Sequence, residues 1–339
     1  MPSHDFPQAD LHIVTGKGGT GKSTVAAALA LGLASTGTNV LLCEVEGRQG
    51  IARMFDVEPL PYAERRIATG LPGAEGAGGS ERGGFVHALH IDPESALLEY
   101  LAMYYRLGRA GKALDRFGVV EFATTIAPGV RDVLLTGKVY EAAKRNRRTK
   151  NAVTYDAVVL DAPPTGRIAA FLGVNQELAG LARMGPIKSQ ADSVTALFAS
   201  KRTAVHLVTV LEEMPVQETA DGIAELRDHG LPVGGVVVNQ VRPGDLGEDQ
   251  LVALRNGRVT KRKVASDLTR AGLTGSGDLV LGLLTEGRDH AERRALEDSQ
   301  RELVRGLGVP AYELPRLVGG IDLGGLYELA ALLREQGLA

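Results

Sequence analysis

Leu11-His12-Ile13-Val14-Thr15-Gly16-Lys17-Gly18-Gly19-Thr20-Gly21-Lys22-Ser23-Thr24 is the stretch whose reading decides the fold. Residues 11–14 form an apolar run of strand length, and the Ala- and Leu-rich residues 25–33 read as a helix. Between them, Gly16 to Ser23 matches the phosphate-loop pattern G-x-x-x-x-G-K-[ST] in full. Glycines let backbone N–H groups turn inward around phosphate oxygens, and the helix that follows presents its positive end to the same anion. Lys22 is placed to reach the β- and γ-phosphates, and the Ser23 hydroxyl to hold Mg²⁺. Lys17 is a further loop lysine that the pattern does not demand. Either it is a solvated loop side chain, or it points across a dimer interface and supplies charge in trans, as an arginine finger does.

Composition narrows the classes around this loop. A chain of 339 residues, 44% of them hydrophobic, can bury a substantial core as one large α/β domain or two smaller ones. A net charge of −3 argues against nucleic-acid binding by bulk charge. The single cysteine, Cys43, leaves no disulfide framework and no internal CxxC metal site, which fits a reducing cytoplasm. Residues 1–10 lack the apolar core of a signal peptide. Residues 23–43 are uncharged over about the length of a membrane span. However, Ser35-Thr36-Gly37-Thr38-Asn39 interrupts them like a helix end, so helix then strand is expected and no transmembrane segment.

Strand-like and helix-like segments alternate along the rest of the chain. Residues 40–45 complete a βαβ unit, followed by 85–91, 155–160, 204–210, 233–239, 279–284 and 311–314 as further strands. Helices are expected within 168–200, at 215–229, at 288–307 and at 323–333. The pattern predicts one α/β domain over 1–339 with a doubly wound, mostly parallel sheet. A mainly helical insertion is expected at 93–145, extended by the helices of 168–200, and a flexible Gly-rich loop at 70–84. The insertion carries Tyr100, Tyr104, Tyr105, Phe117 and Phe122. These either pack its helices onto the main body or line an apolar partner-binding face. The basic run Lys144 to Lys150 reads as a solvated helix terminus, and the charged residues 242–275 as an excursion from the sheet.

A phosphoryl-transfer site needs a carboxylate at a buried strand end to organise Mg²⁺, directly or through water. Asp161, closing the apolar run 157–160, is so placed. The stiff turn Pro163-Pro164-Thr165-Gly166 behind it suits a loop whose backbone senses a γ-phosphate and relaxes when that group is lost.

These segments resemble a known family. The loop Gly16 to Ser23, with Lys17 after its first glycine, is similar to the deviant Walker A loop of the MinD/ParA/ArsA branch of ATPases, where that lysine acts across a dimer. Asp161-Ala162-Pro163-Pro164-Thr165-Gly166-Arg167 resembles the D-T-A-P-T-G-H switch of ArsA and of the tail-anchored-protein-targeting ATPases. In the same order come Pro128-Gly129-Val130, Glu218-Thr219, and Val238-Asn239-Gln240. The last is similar to a strand end whose asparagine reads adenine. Glu313-Leu314-Pro315-Arg316 resembles the adenine loop, which brings in Pro315. The likeness spans nearly the whole chain and is nearest to single-loop actinobacterial anion-transporting ATPases.

The resemblance implies a P-loop ATPase that binds ATP or ADP with Mg²⁺ through Gly16, Lys17, Gly18, Gly19, Thr20, Gly21, Lys22, Ser23 and Thr24. Asn239 and Pro315 would serve the base, Pro164, Thr165 and Gly166 the switch, and Ser23 and Asp161 the metal. Lys17, Lys22, Asp161 and Glu46 would form the catalytic set, Glu46 standing where the family has a water-positioning aspartate. It implies a homodimer, or a heterodimer with a related subunit, coupled to a client protein that could be membrane-destined, with no nucleic acid. The site would be cytoplasmic, or peripheral at a membrane through a partner. Three departures stand out. Glu46 replaces the aspartate, Arg167 replaces the switch histidine, and the paired cysteines for zinc, a metalloid or an iron–sulfur cluster are missing. Glu46 therefore keeps a second reading open, that of a regulatory subunit that holds nucleotide and turns it over weakly. A partitioning ATPase of the MinD/ParA type is less well matched, because the C-terminal residues 326–339 carry one cation, Arg334.

Overall fold

Side chains alternate up and down along each strand, and this period of two sorts the core into two layers. The computed structural model describes residues 5–35, 37–47, 49–71, 84–105, 129–144, 153–181, 186–244 and 246–339. Eight strands form one sheet: β1 (Leu11–Gly16), β2 (Asn39–Glu44), β3 (Arg65–Thr69), β4 (Phe85–His90), β5 (Ala157–Asp161), β6 (Thr203–Thr209), β7 (Val233–Val241) and β8 (Ala311–Pro315). Their order is β3-β4-β2-β5-β1-β6-β7-β8. Among the described residues only the edge pair β3–β4 is antiparallel; the other pairs are parallel. This is the doubly wound α/β fold expected of a phosphate-loop ATPase.

The helices among the described residues are α1 (Lys22–Ala34), α2 (Gly50–Met54), α3 (Pro93–Tyr105), α4 (Val130–Lys144), α5 (Thr165–Leu181), α6 (Pro186–Phe198), α7 (Glu213–Asp228), α8 (Glu248–Arg255), α9 (Lys261–Arg270), α10 (Gly277–Arg305) and α11 (Leu323–Glu335). Val40, Leu42, Val159 and Val237 face the layer built from α1, α2 and α11. Leu41, Cys43, Leu160 and Val238 face the opposite layer, which holds α4 to α7. Every residue of α1 from Val25 to Ala34 is buried, because α11 covers the side that the sheet does not. That sandwich demands small residues: a Cβ on Gly32 would stand 2.7 Å from the Cβ of Ala339.

One strand assignment is corrected. Residues 279–284, expected to be a strand, lie inside α10. Ser276 caps that helix by accepting the Leu279 N–H at 3.2 Å. Only Val280 and Leu284 of the run are buried, which is the i, i+4 spacing of a helix rather than strand alternation. The edge strand β3, rich in arginine and half exposed, was absent from the sequence expectation, as was the short α2. The excursion of 242–275 contains α8 and α9, which bury no residue. Residues 72–83 of the Gly-rich loop, 106–128 of the insertion with Phe117 and Phe122, and 145–150 of the basic run lie outside the described residues, as do the side chains of Tyr100, Tyr104 and Tyr105.

Candidate functional site

The loop leaves the sheet at its centre, from the carboxyl end of β1 between β5 and β6, where ligands of such sheets bind. Its glycines are required by space as well as by dihedral. Gly16 has φ 152°, and a Cβ there would fall on the Val208 carbonyl of β6. Gly21 has φ 90° and stands directly before α1, and a Cβ on it would run into the Asn239 amide. Gly18 and Gly19 face open space instead. Thr20, fully buried, closes the loop by donating its hydroxyl to the Lys17 carbonyl at 2.9 Å.

Asn239, buried on β7, donates through Nδ2 to the Thr20 carbonyl at 2.9 Å. The next residue, Gln240, is left-handed at φ 57°, and the β7–β8 register shifts between Val238 and Val241. Such a bulge re-aims the side chains around it. Pro315 ends β8 opposite Val241, and the adjoining Arg316 N–H donates to the Val241 carbonyl at 2.8 Å. The two base-site candidates therefore close neighbouring strands.

The two loop lysines part company. Lys22 has no ion pair or hydrogen bond among the described residues, though its charge acts on Asp161. Lys17 donates to Glu218 on α7 of its own chain. Glu218 belongs to the Glu218-Thr219 pair, to which the sequence alone assigns no role. Spacing could not have disclosed it, since 201 residues separate the partners.

Ser23 donates its hydroxyl to Asp161 Oδ2 at 2.6 Å, joining the start of α1 to the end of β5. The Asp161 pKa is raised to about 7, chiefly by burial, with Glu44 and Glu46 adding to the rise; the Ser23 hydrogen bond and Lys22 oppose it. A hydroxyl and a carboxylate, both hard oxygen donors, converge here, and this donor set fits Mg²⁺ with water completing its shell. Glu46 is half-buried after β2 and makes no hydrogen bond or ion pair among the described residues. Thr24 turns its hydroxyl toward Met54 Sδ on α2 at 3.6 Å.

The 161–166 turn is sewn to β1. The Ala162 N–H donates to the Val14 carbonyl at 2.9 Å, and the Thr15 hydroxyl to the Pro163 carbonyl at 2.7 Å. The Arg167 N–H donates to the Pro164 carbonyl at 2.8 Å, so Thr165 and Gly166 open α5. Thr165 is 3% exposed, and its hydroxyl finds no hydrogen-bond partner. Arg167, in place of the switch histidine, points to Asp132 of α4 at 3.4 Å. Among the described residues no cluster of three or more His, Cys, Asp or Glu is gathered to hold a metal ion, and no helix is long and apolar enough to cross a membrane.

The chain is similar to known ATPases. Residues 10–198 match the family model described as anion-transporting ATPase. The ATPase BagA of Mycobacterium tuberculosis is 52% identical over 328 residues, which cover 97% of this chain and 93% of that protein. The arsenical pump-driving ATPase of Escherichia coli is 27% identical over 252 residues, 68% of this chain and 39% of the relative. The ATPase get3 of Neurospora crassa is 22% identical over 270 residues, 68% of this chain and 74% of the relative. The chain belongs to the anion-transporting ATPase family and is an ATPase.

Proposed function

We propose that the chain is a Mg²⁺-dependent ATPase that works as a dimer, opened and closed by its nucleotide, and passes that state to a client protein. The observation that carries the reading is the separation of the two loop lysines. Lys22 stays unpaired beside the cradle, whereas Lys17 is drawn off to Glu218. Lys17 and Glu218 are 30% and 37% exposed. An ion pair this open to water is worth at most about 1 kcal/mol. A triphosphate on a facing subunit can therefore outcompete Glu218 for Lys17. On this reading the pair within one chain is the resting position, and closure transfers Lys17 to the other site. Met214, one turn before Glu218 on α7 and 61% exposed, adds apolar surface to the same face.

Each remaining residue has a task. Backbone N–H groups of Gly16 to Thr24 cradle the phosphates, and Lys22 neutralises the β- and γ-oxygens. Ser23 and Asp161, the latter directly or through water, would hold Mg²⁺, which when bound offsets charge on the transferring phosphoryl group. Glu46 orients the attacking water and accepts its proton. The Thr165 hydroxyl and the Pro164–Gly166 turn meet the terminal phosphate, and its loss frees the turn and α5 behind it. Asn239 and Pro315 receive adenine. The partner is a second copy or a related subunit, and the client is an apolar, membrane-destined protein segment, not a nucleic acid, that meets α3 and α4. The site of action is the cytoplasm, at a membrane only through a partner.

Lys22→Ala should abolish ATP binding, and hydrolysis at the wild-type rate would refute the site. Mixing Lys17→Ala chains with intact ones should depress turnover at the intact chain's loop; an unaltered rate would remove the trans role. Glu46 favours a second reading, that of a slow, nucleotide-holding subunit. Its side chain is one methylene longer than aspartate, and a carboxylate misplaced by about 1 Å can cost on the order of 100-fold in rate. A faster Glu46→Asp variant would support that reading.

A further inference from the structure

Glu44 is the last residue of β2 and is 2% exposed. It stands in register with Asp161 on the neighbouring strand. Its Oε1 accepts the Gly50 N–H at 2.8 Å, so one side chain spans from the strand end to the first residue of α2. The Gln49 side chain ties the same point to Leu60, donating to its carbonyl at 3.1 Å and accepting its N–H at 2.8 Å. Gln49 is held left-handed at φ 52°, a conformation that costs energy outside glycine. Glu46 sits inside the loop closed by these bonds.

A turn alone would not call for a carboxylate here. Burying an ionisable group beside Asp161 is costly, and a serine or asparagine could accept one N–H without that cost. A carboxylate makes the stronger, charge-assisted bond and so fixes the loop more tightly. Its other oxygen, Oε2, takes no hydrogen bond and lies 3.7 Å from His90 Nδ1, which is also without one. His90 ends β4, two residues before Asp92, whose carboxylate accepts the Ser95 N–H at 2.8 Å in the first turn of α3.

We infer that Glu44 is a positioning residue for ATP hydrolysis, holding Glu46 at the phosphate cradle by tying the end of β2 to the Gly50 N–H. The inference rests on the reading of Glu46 as the water-orienting group. His90 approaches Glu44 Oε2 from the strand that leads into α3, without hydrogen-bonding it.

Two substitutions of nearly equal size separate the acceptor from the volume. Glu44→Gln keeps an oxygen for the Gly50 N–H, whereas Glu44→Met keeps only the bulk. The full chain of each is assayed for ATP turnover, for affinity toward a fluorescent ADP, and for hydrogen exchange of the Gly50 amide. Glu44→Met should lower kcat by on the order of 10- to 100-fold, as a displaced carboxylate does, with KM and ADP affinity within about threefold. Its Gly50 amide should exchange faster, and Glu44→Gln should retain most of the rate and the protection. In a Glu46→Gln background Glu44→Met should add little, because residues acting through one another are not additive.

Equal loss in Gln and Met, an unaltered kcat in Met, unaltered Gly50 exchange, or an undiminished effect in the Glu46→Gln background would each overturn the inference. Glu46→Gln alone tests the underlying reading. Wild-type turnover in that variant removes Glu46, while the Gly50 exchange still reports on whether Glu44 anchors the loop.

Discussion

Asn239→Ala separates two tasks that one side chain combines. Asn239 Nδ2 donates to the Thr20 carbonyl inside the loop, and its amide packs where a Cβ on Gly21 would be. Adenine offers a donor at N6 and an acceptor at N7. One Nδ2 hydrogen is engaged by Thr20, and Oδ1 can accept from N6 while the second Nδ2 hydrogen donates to N7. The variant should therefore show a loss shared by every nucleotide and a further loss confined to adenine. Leaving a buried carbonyl without its partner costs about 1–3 kcal/mol. Where the empty loop relaxes to hydrate that carbonyl and must re-form the cradle to bind, the same cost, at 1.4 kcal/mol per tenfold, weakens ADP and GDP alike by up to roughly 5- to 150-fold. A single N6 bond, worth about 1 kcal/mol net, adds roughly fivefold against ADP alone.

Calorimetric titration of ADP and GDP into wild type and variant gives both numbers from one design. Unchanged GDP affinity would mean that the Thr20 bond contributes nothing to the loop, and the geometric reasoning would be refuted. An unchanged ADP-to-GDP ratio would leave the brace intact and remove adenine reading from Asn239.

Gly16→Ala should fail to accumulate as folded protein, or unfold with a loss above about 4 kcal/mol, because the new methyl meets the Val208 backbone, which cannot rotate away; soluble yield and the denaturation midpoint check this. Glu218→Ala should strengthen ATP-dependent dimerisation by about two- to fivefold, since it releases Lys17 from a pair worth at most about 1 kcal/mol. Sedimentation with ATP measures it, and weaker assembly would contradict the resting-pair reading. His206 is fully buried, with Nδ1 accepting the Gly235 N–H and Nε2 facing His12 Nδ1 at 3.1 Å. Burial, then His12, holds its pKa well below the ordinary value. The folded state thus refuses a proton that the unfolded chain takes below about pH 6.5, so stability falls as pH falls through that value and is flat above it. Asp161, raised to about 7, has the opposite sign. Comparison with His206→Gln cancels it, and wild type should lose more stability than the variant between about pH 7.5 and 5 in denaturant titrations; an equal loss would refute the assignment.

The parts legible in the sequence were those fixed by local chemistry. The phosphate loop is contiguous, so its glycines, Lys22 and Ser23 could be placed before any tertiary contact was known. Buried parallel strands appear as short apolar runs, and β1, β2, β5, β6 and β7 were found that way. What could not be read depends on neighbours distant in the chain. Residues 279–284 are apolar and short, and only the burial of Val280 and Leu284 against neighbouring helices distinguishes helix from strand. β3 is an edge strand with arginines on an exposed surface, so it lacks the alternation on which recognition rests. Glu218 and Glu44 are ordinary acidic letters until the fold brings one to Lys17 and closes the other on Gly50.

The distribution of satisfied and unsatisfied groups divides the site into two halves. On the loop side, Thr20 and Asn239 spend their donors on loop carbonyls, and Gly16 and Gly21 are locked by the strands beside them. Little reorganisation is needed there before a polyphosphate enters, which favours affinity, since ordering costs are met by the fold. On the reaction side, the Thr165 hydroxyl and Glu44 Oε2 are buried without hydrogen bonds, Glu46 is unpaired, and Lys17 is held by Glu218. Buried polar atoms left open cost about 1–3 kcal/mol each, a cost recovered when a ligand or a moving loop supplies the partner. Nucleotide binding thus draws on groups already in place, whereas turnover draws on groups that must still find partners. On the proposed reading, the closing step rather than the capture of ATP is expected to limit the rate, and the solvent-open Lys17–Glu218 pair adds little to that barrier.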